Sequence, residues 1–96
     1  MKVIFTQQAL DAINSIYTFT TTLSDKKTAK WALELIYKTL EVIKEFPNIG
    51  KVGEKNNIRE FVMNKIPYVI VYKIMDDKIY ILAITHTSRS GIEDFF

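Results

Sequence analysis

Residues 66–89 read IPYVIVYKIMDDKIYILAITHTSR, two β-rich runs that meet at Asp76-Asp77 and close on a short polar cluster. Both runs are dense in β-branched and aromatic residues, which suit a pleated, half-buried surface. Asp76-Asp77 falls where a two-residue hairpin loop needs residues that tolerate unusual backbone angles, although Asp-Asp is a weaker hairpin signal than Asn-Gly. With these two as the loop, pairs step outward as Ile74 with Ile79, Tyr72 with Ile81, Ile70 with Ala83 and Tyr68 with Thr85. One face then carries Tyr68, Ile70, Tyr72, Ile74, Ile79 and Ile81. The other carries Val69, Val71, Lys73, Tyr80, Leu82, Ile84 and His86, so it too is mostly apolar and is expected to need a second cover.

Upstream of the hairpin, Val3-Ile4-Phe5 is a short β-prone run followed by Thr6, a residue that caps helices by accepting from the freed amides of a first turn. Ala9, Leu10, Ile13, Ile16 and Tyr17 recur at helical spacing, and the threonines from Thr18 to Thr22 weaken the helix toward an end near Leu23. Ser24 or Asp25 starts a second helix. Its stripe is Ala29, Ala32, Leu33, Ile36, Leu40 and Ile43, widened by Trp31, Leu35 and Val42, and it runs to Phe46. Pro47 and Gly50 then turn the chain back toward a sheet. Lys51 to Asn57 is polar and glycine-containing and is expected to be the most mobile loop, and Ile58 to Met63 adds a strand. The order is strand, helix, helix and three strands. It predicts an α+β fold in which an N-terminal strand and a two-helix antiparallel hairpin pack on a mainly antiparallel sheet.

The chain has 96 residues, enough for a single domain spanning 1–96 that hides roughly 60–65% of its unfolded surface. Cysteine is absent, which removes disulfides and cysteine-based metal sites and favours a reducing compartment. MKVIFTQQ is too short in its apolar run for a signal peptide, and no stretch approaches the roughly 20 apolar residues that span a bilayer. A cytoplasmic location without membrane contact is expected. The net charge of +2 is small and its signs are mixed, so Lys26, Lys27 and Lys30, and the stretch Lys51, Lys55, Arg59 and Lys65, read first as solvated faces. Asp76-Asp77 lacks the further ligands a metal needs, and no metal or other cofactor is expected. Ser88 and His86 lack an orienting acid at any recognisable spacing, which argues against a hydrolase triad.

Taken in order, Ala9-Leu10-Asp11-Ala12-Ile13, Pro47-Asn48-Ile49-Gly50, Arg59-Glu60-Phe61, Tyr68-Val69-Ile70-Val71-Tyr72 and the ending His86-Thr87-Ser88-Arg89 resemble the RelE/ParE superfamily of bacterial type II toxins. The resemblance covers essentially the whole chain. Its RelE-like branch implies a ribosome-dependent mRNA endonuclease, which needs converging cations and a proton donor. Here the position of a phosphate-clamping arginine holds Val69, the paired lysines fall near Glu60 and Val62, and the late tyrosine falls on Phe95. Only Arg89 matches a catalytic arginine. His86 has two readings: a histidine-based nuclease residue acting with Arg89, or a strand-end histidine supporting its polar neighbours. The second is favoured because catalysis would need another donor or base.

The ParE-like branch resembles the chain better. It implies a non-enzymatic toxin that binds and poisons DNA gyrase and is silenced by a cognate antitoxin, with a toxin–antitoxin hetero-oligomer as its resting form. In that reading Arg59, His86, Arg89, Phe95 and Phe96 contact the target, while Trp31, Val69, Val71 and Leu82 receive the antitoxin. Alternatives stay open for several of these. Arg59 could pair with Glu60 or Glu93, the terminal phenylalanines could fold back on the core, and Trp31 could be packing within the helical hairpin. Two further readings of the whole chain also stand: the mRNA endonuclease, and an inactive superfamily member that only binds its antitoxin.

Overall fold

The computed structural model describes residues 1–53 and 57–87. In chain order the elements are β1 (Lys2–Phe5), α1 (Gln7–Leu23), α2 (Lys26–Glu45), β2 (Lys51–Val52), β3 (Ile58–Val62), β4 (Tyr68–Met75) and β5 (Lys78–His86). They form a five-stranded sheet in the order β1-β5-β4-β3-β2, with β1 parallel to β5 and the remaining neighbours antiparallel. The two helices pack on one face, which is the expected α+β arrangement. One expectation is corrected: Lys51-Val52, read as the start of a mobile loop, pairs with β3 through Lys51–Glu60 and Val52–Arg59.

Both helices begin on side chains that satisfy the otherwise orphaned amides of a first turn. Thr6 Oγ1 accepts from the Ala9 amide at 3.2 Å, and Asp25 accepts from the Thr28 amide at 2.7 Å. That backbone hydrogen bond holds the Asp25 carboxyl below its ordinary range. Thr6 also reaches across the sheet, donating its hydroxyl to the carbonyls of Ile81 at 2.8 Å and Leu82 at 3.2 Å. One side chain therefore fixes the start of α1 and the position of β5 beneath it.

The hairpin turns at Asp76-Asp77, whose φ angles of 54° and 58° both lie in the left-handed region that a type I′ turn requires. Ile74 pairs with Ile79 and Tyr72 with Ile81, as the alternation predicts. Beyond them the expected register fails. A bulge at Val71/Tyr72 leaves Leu82 as an extra residue, so Val71 pairs with Ala83, Ile70 with Ile84, Val69 with Thr85 and Tyr68 with His86. Strict alternation would have sent Ile84 and His86 to the far face; the extra residue turns both toward the helices. The gain is visible at Ile84, which is 5% exposed within the main core.

That core joins Ala9, Ile13 and Ile16 of α1 and Ala32, Ile36, Leu40 and Ile43 of α2 to Ile70, Tyr72, Ile79, Ile81 and Ile84 of the sheet. On the opposite face Ile58, Val69, Val71 and Ala83 form a smaller cluster, with Leu82 packed against it. Among the described residues, no helix is long and apolar enough to cross a membrane.

Candidate functional site

Four regions carry the residues singled out by the sequence, and the fold separates them. At the corner after α2, the Tyr72 hydroxyl donates to the Pro47 carbonyl at 2.7 Å and accepts from the Gly50 amide at 2.8 Å. Burial pushes this phenol above its ordinary value near 10, against the opposing pull of the Gly50 hydrogen bond and the Arg59 charge. Arg59 Nη1 donates to the carbonyls of Asn48 at 3.1 Å and Gly50 at 2.8 Å. Arg59, expected among the target contacts, is thus anchored to the turn, and the charge it carries sits at a rigid corner rather than on a free arm.

Along α2, Trp31, Val42 and Phe46 project from one side, 46%, 40% and 57% exposed. The spacing of residues 31, 35, 38/39, 42 and 46 makes a second stripe beside the core-facing one. It borders a groove of about 260 Å³ lined by Leu35, Thr39, Val42, Phe61 and Met63, with Lys38 and Lys65 at its edge. Trp31, one turn before Leu35 on the same stripe, is exposed rather than packed away within the hairpin, and it lies outside the residues that line the groove. Phe61 from β3 and Met63 just beyond it complete the groove from segments that the helical periodicity of α2 does not reveal.

At the far end of the hairpin, the rings of Tyr68 and His86 meet edge to face, with centroids 5.4 Å apart at 80°. They line a cavity of about 450 Å³ together with Ser15, Phe19, Ile84 and Thr85. This corrects the placement of His86 beside Val69 and Val71: the bulge puts it on the helix side of the sheet. Arg89, Phe95 and Phe96 lie outside the described residues, as does Glu93.

The second face holds the positions that, by the resemblance to the RelE-like branch, would carry a nuclease's cations. Its rows read Lys51, Glu60, Val71, Ala83 and then Val62, Val69, Thr85, since paired residues of neighbouring strands share a face. Val69 and Val71 are 7% and 0% exposed, so the face expected to await a cover is already closed at these positions, and Leu82 is half-buried beside them. In these rows the single lysine stands next to a carboxylate, and aliphatic side chains fill the centre.

A family model for the ParE toxin of type II toxin–antitoxin systems matches residues 3–91. No curated protein gave a match. Among solved structures, the chain is similar to one described as a chromosomal ParDE toxin–antitoxin system from P. aeruginosa, with a TM-score of 0.80 at 20% identity over 90% of this chain and 95% of that one. It is also similar to a chain of the intact E. coli RelBE toxin–antitoxin complex, with a TM-score of 0.66 at 15% identity over 92% and 98%. The isolated E. coli RelE toxin gives the same TM-score of 0.66 and 15% identity, over 98% of this chain and 92% of that one. At these identities the structural likenesses speak for the fold.

Proposed function

The chain belongs to the ParE toxin family of type II toxin–antitoxin systems, and from that premise we propose that it is a single-domain, cytoplasmic toxin over 1–96 that arrests growth by binding DNA gyrase, without chemistry of its own. The observation that carries this reading is the sheet face bearing Val62, Val69, Val71 and Ala83, aliphatic where phosphate-clamping cations would have to converge. His86, the one imidazole, lies on the other side of the sheet against Tyr68. Target contact is assigned to the corner fixed by Arg59 and to the ending that contains His86, Arg89, Phe95 and Phe96.

The antitoxin is assigned to the α2 groove. Its open apolar stripe, headed by Trp31 and edged by Lys38 and Lys65, suits an amphipathic segment with acidic residues. Val69, Val71 and Leu82 lie on the sheet face opposite that groove and receive the antitoxin only if it also reaches this face and opens their cluster.

The test is a paired assay on one preparation, measuring gyrase supercoiling and the integrity of ribosome-bound mRNA. Stalled supercoiling with intact mRNA is the expected result, weakened by Arg89→Ala. Fresh mRNA cleavage that disappears in His86→Ala, with gyrase unaffected, would replace this reading by the endonuclease. Silence in both assays, with harmless expression, would leave a protein that only binds its antitoxin.

A further inference from the structure

The strand pairing gathers basic residues that the sequence keeps far apart. Lys2 of β1 pairs with Lys78 of β5, and Ile4 pairs with Tyr80 in the same parallel ladder. Across the antiparallel ladder, Lys73 of β4 pairs with Tyr80 and Met75 with Lys78. Paired residues share a face, and Lys78 and Tyr80, two apart on one strand, share it as well. The face is the one opposite the helices, because the alternate residues Val3, Phe5, Ile74, Ile79 and Ile81 belong to the helix-side core. Tyr80 thus has Lys73 beside it, Lys78 next along its strand and Lys2 one strand further on. Lys2 and Lys78 are exposed, and Lys73 and Tyr80 are half-buried.

A lone lysine on an edge strand is ordinary protection against unwanted strand pairing. Two lysines set directly opposite each other are different, since like charges in register cost stability. The arrangement gains when a polyanion lies across it. Glu60 is on the same face but in the next row, beside Lys51, and Asp76 and Asp77 lie beyond the last pair, in the turn. Among the described residues, the carboxylates therefore bound the patch on two sides without entering it. They leave a path running across β1, β5 and β4.

We propose that this face binds an unpaired stretch of nucleic acid, with Lys2, Lys73 and Lys78 taking backbone phosphates and the Tyr80 ring stacking on a base. A sheet that presents an aromatic ring among cations is suited to a single strand, whose bases offer open faces, whereas a duplex keeps its bases stacked on each other. An acidic peptide would satisfy the lysines and leave the ring without a partner. The site is separate from the valine-lined rows of the same face, and it does not depend on whether gyrase is the target.

The test is fluorescence anisotropy of the full chain with labelled oligothymidylate and oligouridylate, with oligoglutamate as competitor, across a salt series. Binding is expected to weaken with salt along a log–log slope of about 2, as about three phosphate contacts on a single strand predict. Lys73→Glu with Lys78→Glu should abolish it, and Tyr80→Ala should weaken it about tenfold while Tyr80→Phe retains it. The comparison of the two oligonucleotides identifies DNA or RNA as the preferred strand. Thermal melts of each variant separate lost binding from lost folding. The proposal is overturned if neither strand binds, if oligoglutamate competes equally well at matched charge, or if Lys26→Glu with Lys27→Glu on α2 weakens binding as much as the sheet variants do.

Discussion

Tyr72 and Gly50 show how one contact sets the corner after α2. The phenol fills the space above Gly50 so closely that a Cβ there would stand 2.6 Å from the hydroxyl oxygen and 2.8 Å from a ring carbon. Gly50→Ala is therefore expected to destabilise the fold by about 2–3 kcal/mol, measured by urea denaturation, because the neighbour that must yield is a fully buried ring. An unchanged midpoint would mean that the turn relaxes freely. The same phenol makes a pH prediction. Its folded-state pKa lies above the ordinary value near 10, so the folded chain holds this proton more tightly than the unfolded chain does. Stability from this group is constant below that value and falls as pH climbs from about 10 toward the raised folded value. Tyr72→Phe should flatten that alkaline loss while lowering stability near neutrality by about 1–3 kcal/mol, since the Gly50 amide and the Pro47 carbonyl lose their partner. An alkaline loss equally steep in the variant would assign the effect to other groups.

At the level of elements, the hairpin is the part whose chemistry and geometry disagree most. Asp76 and Asp77 both adopt positive φ, which costs an L-residue some conformational energy and costs glycine almost none. Asp77→Gly is expected to stabilise the fold by about 1 kcal/mol, read as a higher denaturation midpoint. A lower midpoint would show that the aspartate side chain contributes more than its backbone strain removes. Further along the same hairpin, the bulge at Val71/Tyr72 shows the reverse case. Nothing in the alternation of residues 78–86 announces an extra residue, yet Thr6, more than seventy residues earlier in the chain, binds the Ile81 and Leu82 carbonyls at that point. The bulge re-aims every later side chain of β5, so it decides on which side of the sheet His86 stands.

For the whole molecule, surface chemistry divides between faces. The α2 stripe and its groove are open and apolar, the opposite sheet face is closed at Val69 and Val71, and a basic patch occupies the turn end of that face. Trp31 is the single tryptophan and is exposed on the α2 stripe, which makes it a reporter for the proposed antitoxin contact. Titration with the cognate antitoxin is expected to blue-shift its emission, and Trp31→Ala should weaken that complex at least tenfold, the loss typical of a central aromatic anchor. An emission spectrum unmoved by a partner that still binds would place the antitoxin elsewhere. Phe61 and Met63, which complete the groove from β3 and the residue beyond it, then become the next positions to vary.

The sequence by itself determined the element order apart from β2, the Thr6 cap, the second cap to within one residue, the hairpin turn and the apolar stripes. Each of these is written within a few neighbouring residues as a periodicity or a turn chemistry. It also marked Trp31 as a candidate contact, and set beside the RelE-like pattern it put Glu60, Val62 and Val69 where that branch carries cations. The tertiary structure decided the rest. Whether Arg59 swings free or grips the carbonyls of Asn48 and Gly50, whether Lys2 meets Lys78, and whether His86 faces the helices or the valines all depend on strand register and on contacts between distant segments. A one-residue shift in a ladder exchanges the two faces of everything beyond it, and a period of two cannot reveal where that shift falls.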